Sequence, residues 1–346
     1  MIMSCYGLGT IFGGSIGGKL SDQISPRIVS IGNLLLQSLG FFILMVAKSP
    51  CLLMLALLII GFGSYGFIIS NHTWTLSHSQ QKHRLKTINI LDASSNLGLG
   101  ISGIIISLVS TESFHILFLI AGTILLALTA NLILKYDKTT SATSSDTITD
   151  ELHTAQNHIF YFVLFSVFIA GLIISQISST YPIYLQHLFP SMGNKSFGIL
   201  FTINTFFVVF LQTPIVNLIG KLNKTLLSST GVLLLGTGLL ILNFSYIFAI
   251  AILACIVTTI GEILFFSVAQ LICYESGSDN KKGSRLGLFR TFYAASRIAG
   301  PVTGGFIYQI YSGQTLWLCC FICGMVCFIV SLVMINKGDY FRIQPN

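Results

Sequence analysis

The 346-residue chain is 53% hydrophobic and only 8% charged, with a formal net charge of +7. A soluble domain carries about 25% charged residues, so a water-covered globule is excluded, and with it a soluble enzyme or a basic nucleic-acid binder. What remains is an integral membrane protein embedded in a lipid bilayer.

A hydrocarbon core of about 30 Å needs roughly 20 apolar residues per helix. Eleven stretches meet that need: 1–18, 28–47, 51–73, 87–109, 115–134, 159–183, 197–219, 226–244, 246–273, 286–310 and 315–335. Lipid leaves no partner for unpaired backbone groups, so only helices or a closed barrel can span it. Runs this long without period-two alternation exclude the barrel, and the expected fold class is all-α.

In chain order, the first span carries Gly9, Gly13 and Gly17, and Gly14 and Gly18, at four-residue spacing. Such spacing lets helix backbones approach closely. Gly7-Leu8-Gly9 lies inside a hydrophobic run with no strand before it, so it is not a nucleotide loop. The run ends in Gly18-Lys19-Leu20-Ser21-Asp22, and Arg27 follows. Asn71 and His72 end the third span, with Trp74 just beyond, and Asp92 and Asn96 lie in the fourth. Lys138 to Asp150 is rich in Ser, Thr and Asp and reads as a solvated linker. Gln176, Ser179 and Tyr181 crowd the end of the next span, just before Pro182. Asn204 and Gln212 follow, then Glu262, Arg297 and Gly300-Pro301-Val302-Thr303-Gly304-Gly305. Pro301 should kink its helix or stiffen its contact with the 197–219 span. Trp74 and Trp317 fall at opposite interfaces, as belt aromatics do. Cys319, Cys323 and Cys327 share a helix face but lack His or acidic neighbours, so they read as packing residues. No metal or cofactor is expected.

Loop charge sets the orientation. Fifteen of the eighteen Lys and Arg residues fall in alternate loops and the tail, against Lys48 and Lys195 on the other side. The 135–158 linker and the C-terminus are therefore expected in the cytoplasm. Eleven spans then place Met1 outside.

The halves echo each other at an offset near 200 residues. Gly18-Lys19-Leu20 matches Gly220-Lys221-Leu222, and Gly63-Ser64 matches Gly261-Glu262. Arg84-Leu85 with Ala93-Ser94-Ser95-Asn96-Leu97 matches Arg285-Leu286 with Ala294-Ala295-Ser296-Arg297-Ile298. Two parallel halves place a substrate between them near the membrane midplane.

Gly18-x-Leu20-x-Asp22 with Arg27 resembles the loop between the second and third helices of the major facilitator superfamily. Gly300 to Gly305 resembles the Gly-Pro-x-x-Gly-Gly element of its drug–proton antiporters. The resemblance implies a twelve-helix fold, of which eleven helices are seen and the first is expected to be missing. Its parts are then an N-terminal bundle at 1–134 (helices 2–6), a cytoplasmic linker at 135–158, a C-terminal bundle at 159–335 (helices 7–12) and a tail at 336–346. It further implies a monomeric, non-enzymatic secondary transporter of small solutes, coupled to protons and exporting drugs or metabolites across the cell membrane. Asp22 would act as a cytoplasmic gate against the N-terminus, Arg285 and Arg290 of the helix spanning 286–310. Gly261-Glu262 and Asn96-Leu97-Gly98 are also similar to oligopeptide symporters, which leaves a proton-coupled importer as an alternative. A truncated, transport-inactive fragment is another.

Ionisable residues within a span cost about 2.5–3.5 kcal/mol at its centre, so function is their default reading. Glu262 and Arg297 lie at similar depth on consecutive spans and should approach each other or line one cavity. Glu262 could take up a proton and release Arg297; equally, the two could form a permanent pair that only fixes helix packing. Asp92 sits near a helix start, where the helix dipole could satisfy it. A polar path is expected through Asn71, Asn96, Gln176, Ser179, Tyr181, Asn204 and Gln212.

Overall fold

The apolar runs become helices whose ends are set by local chemistry. Pro26 and Pro50 each open a helix at its first turn, where a missing N–H costs nothing, and the Ser49 hydroxyl accepts from Leu52 N–H at 3.3 Å. Asn223 caps another by accepting from the N–H groups of Thr225 and Leu226 at 3.0 and 3.2 Å. The structure, a computed structural model, describes residues 2–108, 114–134, 150–219, 222–276 and 279–336. Most of the expected linker, the expected tail beyond 336, and Gly220 and Lys221 of the repeat lie outside these residues.

Among the described residues there are twelve α-helices. They are α1 (Ile2–Gln23), α2 (Pro26–Val46), α3 (Pro50–Ser77), α4 (Arg84–Leu108), α5 (Phe114–Leu134) and α6 (Asp150–Ser178). Then follow α7 (Thr180–Leu188), α8 (Asn194–Ile219), α9 (Lys224–Ile241), α10 (Phe248–Glu275), α11 (Lys282–Ile310) and α12 (Gly313–Asn336). Eight are long and apolar enough to cross a membrane; α1, α4 and α11 are as long but carry more polar and glycine positions. The chain is a multi-pass integral membrane protein.

The expected span at 159–183 is in fact two helices broken at Ser179. Pro182 explains the break. Its ring excludes the carbonyl four residues back and offers it no N–H, while within the first turn of α7 that lack is harmless. The hydroxyls of Ser178 and Ser179 both turn back to the Ser175 carbonyl, at 3.1 and 2.9 Å.

The chain divides into two compact units. Unit one comprises Met1–Gln81, Ile101–Thr147 and Cys273–Ala295. In it α3 packs on α1 and α2, and α2 on α5. The α1–α3 contact is backbone to backbone: a Cβ at Gly9 or Gly13 would overlap the main chain of Leu58 or Phe62, and one at Gly17 would come within 2.8 Å of Gly66 Cα. Gly13→Leu should therefore fail to accumulate as folded protein, because backbone cannot rotate aside as a side chain does. Gly32 meets nothing within 4 Å. Gly32→Ala should instead gain up to about 1 kcal/mol of helix propensity, read as a raised thermal midpoint in detergent.

Unit two comprises Lys82–Gly100, Ile148–Ile272 and Ser296–Asn346. Here α9 packs on α12 and α6, and α7 on α8. Gly231 and Gly261 bring α9 and α10 together, each lying where a Cβ would come within 2.8 Å of the other's helix.

Candidate functional site

In unit two a polar seam joins α4, α8 and α10. Asn89, Asp92 and Asn96 are spaced three and four apart, which puts them on one face of α4. On α10, Thr259, Glu262, Ser267 and Gln270 form a comparable stripe. Asn204 of α8 donates through Nδ2 to Glu262 Oε2 at 3.3 Å and to Thr259 Oγ1 at 2.9 Å. The Thr259 hydroxyl in turn donates to the Cys255 carbonyl at 2.8 Å. Glu262 is half-buried, and the charges of both Arg297 and Asp92 act on it. Glu262 and Arg297 thus lie within electrostatic reach, but the hydrogen bond to the carboxylate comes from neutral Asn204. Arg297 stands on the exposed side of α11.

Asp92 accepts from Gln270 Nε2 at 2.8 Å across the seam. Gln212 Nε2 donates to Asn89 Oδ1 at 3.3 Å and to Ser267 Oγ at 3.2 Å. Asn96 is half-buried and donates to the Asp92 carbonyl of its own helix at 3.1 Å. Sequence reasoning missed Asn89, Thr259, Ser267 and Gln270. Their only signal is spacing: each falls a turn or two from a residue already singled out.

The Gln176 group is a separate cluster. Gln176 is buried, with Nε2 donating to the Gly300 carbonyl at 2.9 Å and the Leu172 carbonyl at 3.0 Å. Its Oε1 accepts from Thr180 at 3.0 Å and, weakly, from Ser179 at 3.5 Å. Gly300 and Gly304 close on Ser175 and Gln176 of α6, rather than on α8 as expected. α11 continues as helix through Pro301, and Gly305 meets nothing within 4 Å. Gln176→Leu should cost about 1–3 kcal/mol by stranding the groups it satisfies, lowering the thermal midpoint while leaving the substrate KM of the folded fraction unchanged. Tyr181 is buried edge-on to Trp317, with ring centroids 6.3 Å apart, and Tyr184 lies 5.4 Å from the same indole. Trp317 is 0% exposed, not a belt residue, because the short helix α7 lays both tyrosines over it.

In unit one Asp22 lies on the N-terminus of α11. Its Oδ1 accepts from Gly283 N–H at 2.6 Å, and its Oδ2 from Ser284 N–H at 2.7 Å and from the Ser284 hydroxyl. Gly14, Gly18, Gly283 and Gly287 make the approach possible: a Cβ on Gly287 would sit 2.6 Å from the Gly14 carbonyl. Burial pushes the Asp22 carboxyl above its usual range, against the pull of the Ser284 and Gly283 bonds. The carboxylate thus accepts from backbone N–H groups and the Ser284 hydroxyl, where the sequence suggested Arg285 and Arg290 as well. Leu20 is half-buried on the last turn of α1. Arg27 donates to the Leu132 carbonyl at the end of α5 at 3.0 Å and lies 5.8 Å from the Trp74 ring centre. A cation at a helix C-terminus is favourably placed. Asn71 is half-buried on α3. Among the described residues no group of three His, Cys, Asp or Glu could hold a metal ion.

The family model described as Major Facilitator Superfamily matches residues 1–190 and 163–340. An uncharacterized MFS-type transporter of Bacillus subtilis, YqjV, is 26% identical over 176 residues, which are 47% of this chain and 43% of that relative. The chain thus aligns with less than half the length of that relative. Among solved structures, the human organic anion transporter MFSD10 superposes with a TM-score of 0.78 at 13% identity, covering 95% of this chain and 82% of that one. The E. coli fucose:proton symporter FucP gives 0.73 at 12% identity, covering 96% and 89%. These likenesses are of fold. With two matches of the family model that together run from residue 1 to residue 340, the chain belongs to the major facilitator superfamily.

Proposed function

We propose that the chain is a secondary transporter that moves a small solute by alternating access, with protons as the coupling ion and export of drug-like or metabolite molecules as its direction. Glu262 carries this reading: it is a half-buried carboxylate inside an apolar helix, held by a neutral amide and facing the charges of Arg297 and Asp92. Uptake of a proton there neutralises one charge and changes the field on Arg297, and that difference can bias two conformations. Asp22 serves as the gate, its contact with α11 favouring the outward-open state. Eleven spans then cross the cell membrane as two halves, 1–134 and 159–335, with the C-terminus in the cytoplasm and the protein acting as a monomer. Asn71, Asn96, Asn204 and Gln212 line the solute path. Gly261-Glu262 and Asn96-Leu97-Gly98 fit a proton-coupled importer as well, and direction follows from the same assay.

The test is flux in proteoliposomes under an imposed pH gradient. Solute movement that follows the gradient and collapses with a protonophore is the expected result. Flux indifferent to the protonophore would remove proton coupling.

A further inference from the structure

Thr259 is 1% exposed, and its hydroxyl oxygen lies 2.8 Å from the Cys255 carbonyl oxygen, one turn earlier on α10. Two oxygens that close need a hydrogen between them, and a carbonyl has none to give. The single proton of Thr259 is therefore spent on its own helix, and toward α8 its oxygen can only accept. Asn204 meets that oxygen at 2.9 Å. The amide must present its NH2 there, because its own oxygen would set two acceptors face to face. The same Nδ2 carries a second hydrogen, which goes to Glu262 Oε2 at 3.3 Å. Which atom of the amide faces Glu262 is thus decided at Thr259, about one turn away on α10.

The choice matters for a proton. An N–H serves a carboxylate well, since bonds to a charged acceptor are about twice as strong as neutral ones, and it offers nothing to the proton of an acid. An amide oxygen does the reverse: it accepts from the acid's hydroxyl and repels a carboxylate. With Oε2 committed to Asn204, Oε1 is the atom that takes a proton from water and returns it to water. The charges acting on Glu262 from neighbouring helices are those of Arg297 on α11 and Asp92 on α4. The Cys255 thiol lies two turns back on the same helix. The titratable residues of α8 and α9 are Lys195 and Lys224, each in its helix's first turn. Thr259 and Asn204 are neutral, so their substitution leaves all of these charges in place.

We propose that Thr259 is a positioning residue for proton exchange, locking the Asn204 amide with its N–H toward Glu262 so that α8 holds the ionised carboxylate and the proton is released readily. This rests on the transport reading above and names the regulation of the same site.

The test needs no solute. The infrared C=O stretch of the protonated Glu262 carboxyl, assigned by its loss in Glu262→Gln, is followed against pH in the purified full chain in lipid nanodiscs. Thr259→Val keeps the shape and removes the hydroxyl, so the amide can turn its oxygen to the acid's hydroxyl. The acid should then hold its proton about tenfold more tightly, which moves the titration midpoint up by about one pH unit. Thr259→Ser should restore the wild-type midpoint. In an Asn204→Leu background Thr259→Val should move nothing further, because Thr259 acts through the amide. A threonine that only packs would change the thermal midpoint and leave the titration where it was. An unmoved titration in Thr259→Val, an equal shift in Thr259→Ser, a full shift without Asn204, or no band lost in Glu262→Gln overturns the inference. Should Thr259→Val not fold, Thr259→Ala carries the same expectation and the same refutation. Titrations as expected in a protein that moves no solute would sink the transport reading and keep the lock.

Discussion

Asp22→Ala should loosen the first turn of α11 and slow transport. The N–H groups of a helix's first turn have no partner within the helix, and here the Asp22 carboxylate accepts from Gly283 and Ser284. Losing a cap costs about 0.5–2 kcal/mol, and bonds to a charged acceptor are worth about 1.5–3 kcal/mol. About 1.4 kcal/mol is tenfold in an opening equilibrium, so amides near 283 and 284 should exchange with deuterium at least tenfold faster. Asp22→Asn should fall between wild type and Ala, since its amide oxygen keeps one acceptor while its nitrogen would face the other backbone N–H. Asp22→Glu should also fail, because α1 and α11 already touch at Gly18 and Gly283, where a Cβ on Gly283 would lie 2.6 Å from the Gly18 carbonyl. Unchanged exchange in the alanine variant would show that the cap is held by something else. Unchanged transport despite faster exchange would remove the gate role and leave a helix cap.

The contact shows where sequence reading stops. The helices were legible because apolar run length is a local property that lipid enforces. Asp22 itself was legible as a charge closing a glycine-rich run. Its partners were only partly so: a helix start beyond 260 residues of intervening chain can be guessed, but backbone N–H groups have no letter of their own, and Ser284 looks like any loop serine. The same holds in unit two. Glu262 and Asp92 stand out because charge in a membrane is expensive, whereas Gln270 and Ser267 become meaningful only once the face of α10 is known. Trp317 was misplaced for a tertiary reason. Its position near a span end suits an interface, and only the break at Ser179 brings Tyr181 and Tyr184 over it. Pro182 was the readable clue to that break.

Glu262→Gln should abolish gradient-driven accumulation, a loss of tenfold or more, while solute exchange at equal pH persists. Glutamine keeps an oxygen for Asn204 Nδ2 and nearly the same volume, so the α8–α10 contact survives. What disappears is the exchangeable proton and with it any dependence of the field at Arg297 on the gradient. The competing account, a permanent ion pair that only fixes helices, predicts a different result. Breaking a buried pair by removing one charge costs about 3–5 kcal/mol, so the glutamine variant would melt far lower and accumulate poorly. One observation weighs against that account. The hydrogen bond on Glu262 comes from an uncharged amide. Near-normal stability together with lost accumulation is therefore the expected pair of readings, measured as a thermal midpoint and a proteoliposome flux on one preparation. Full accumulation with a sharply lowered midpoint would assign Glu262 to packing and move the coupling role to Asp92, the other acid within a span.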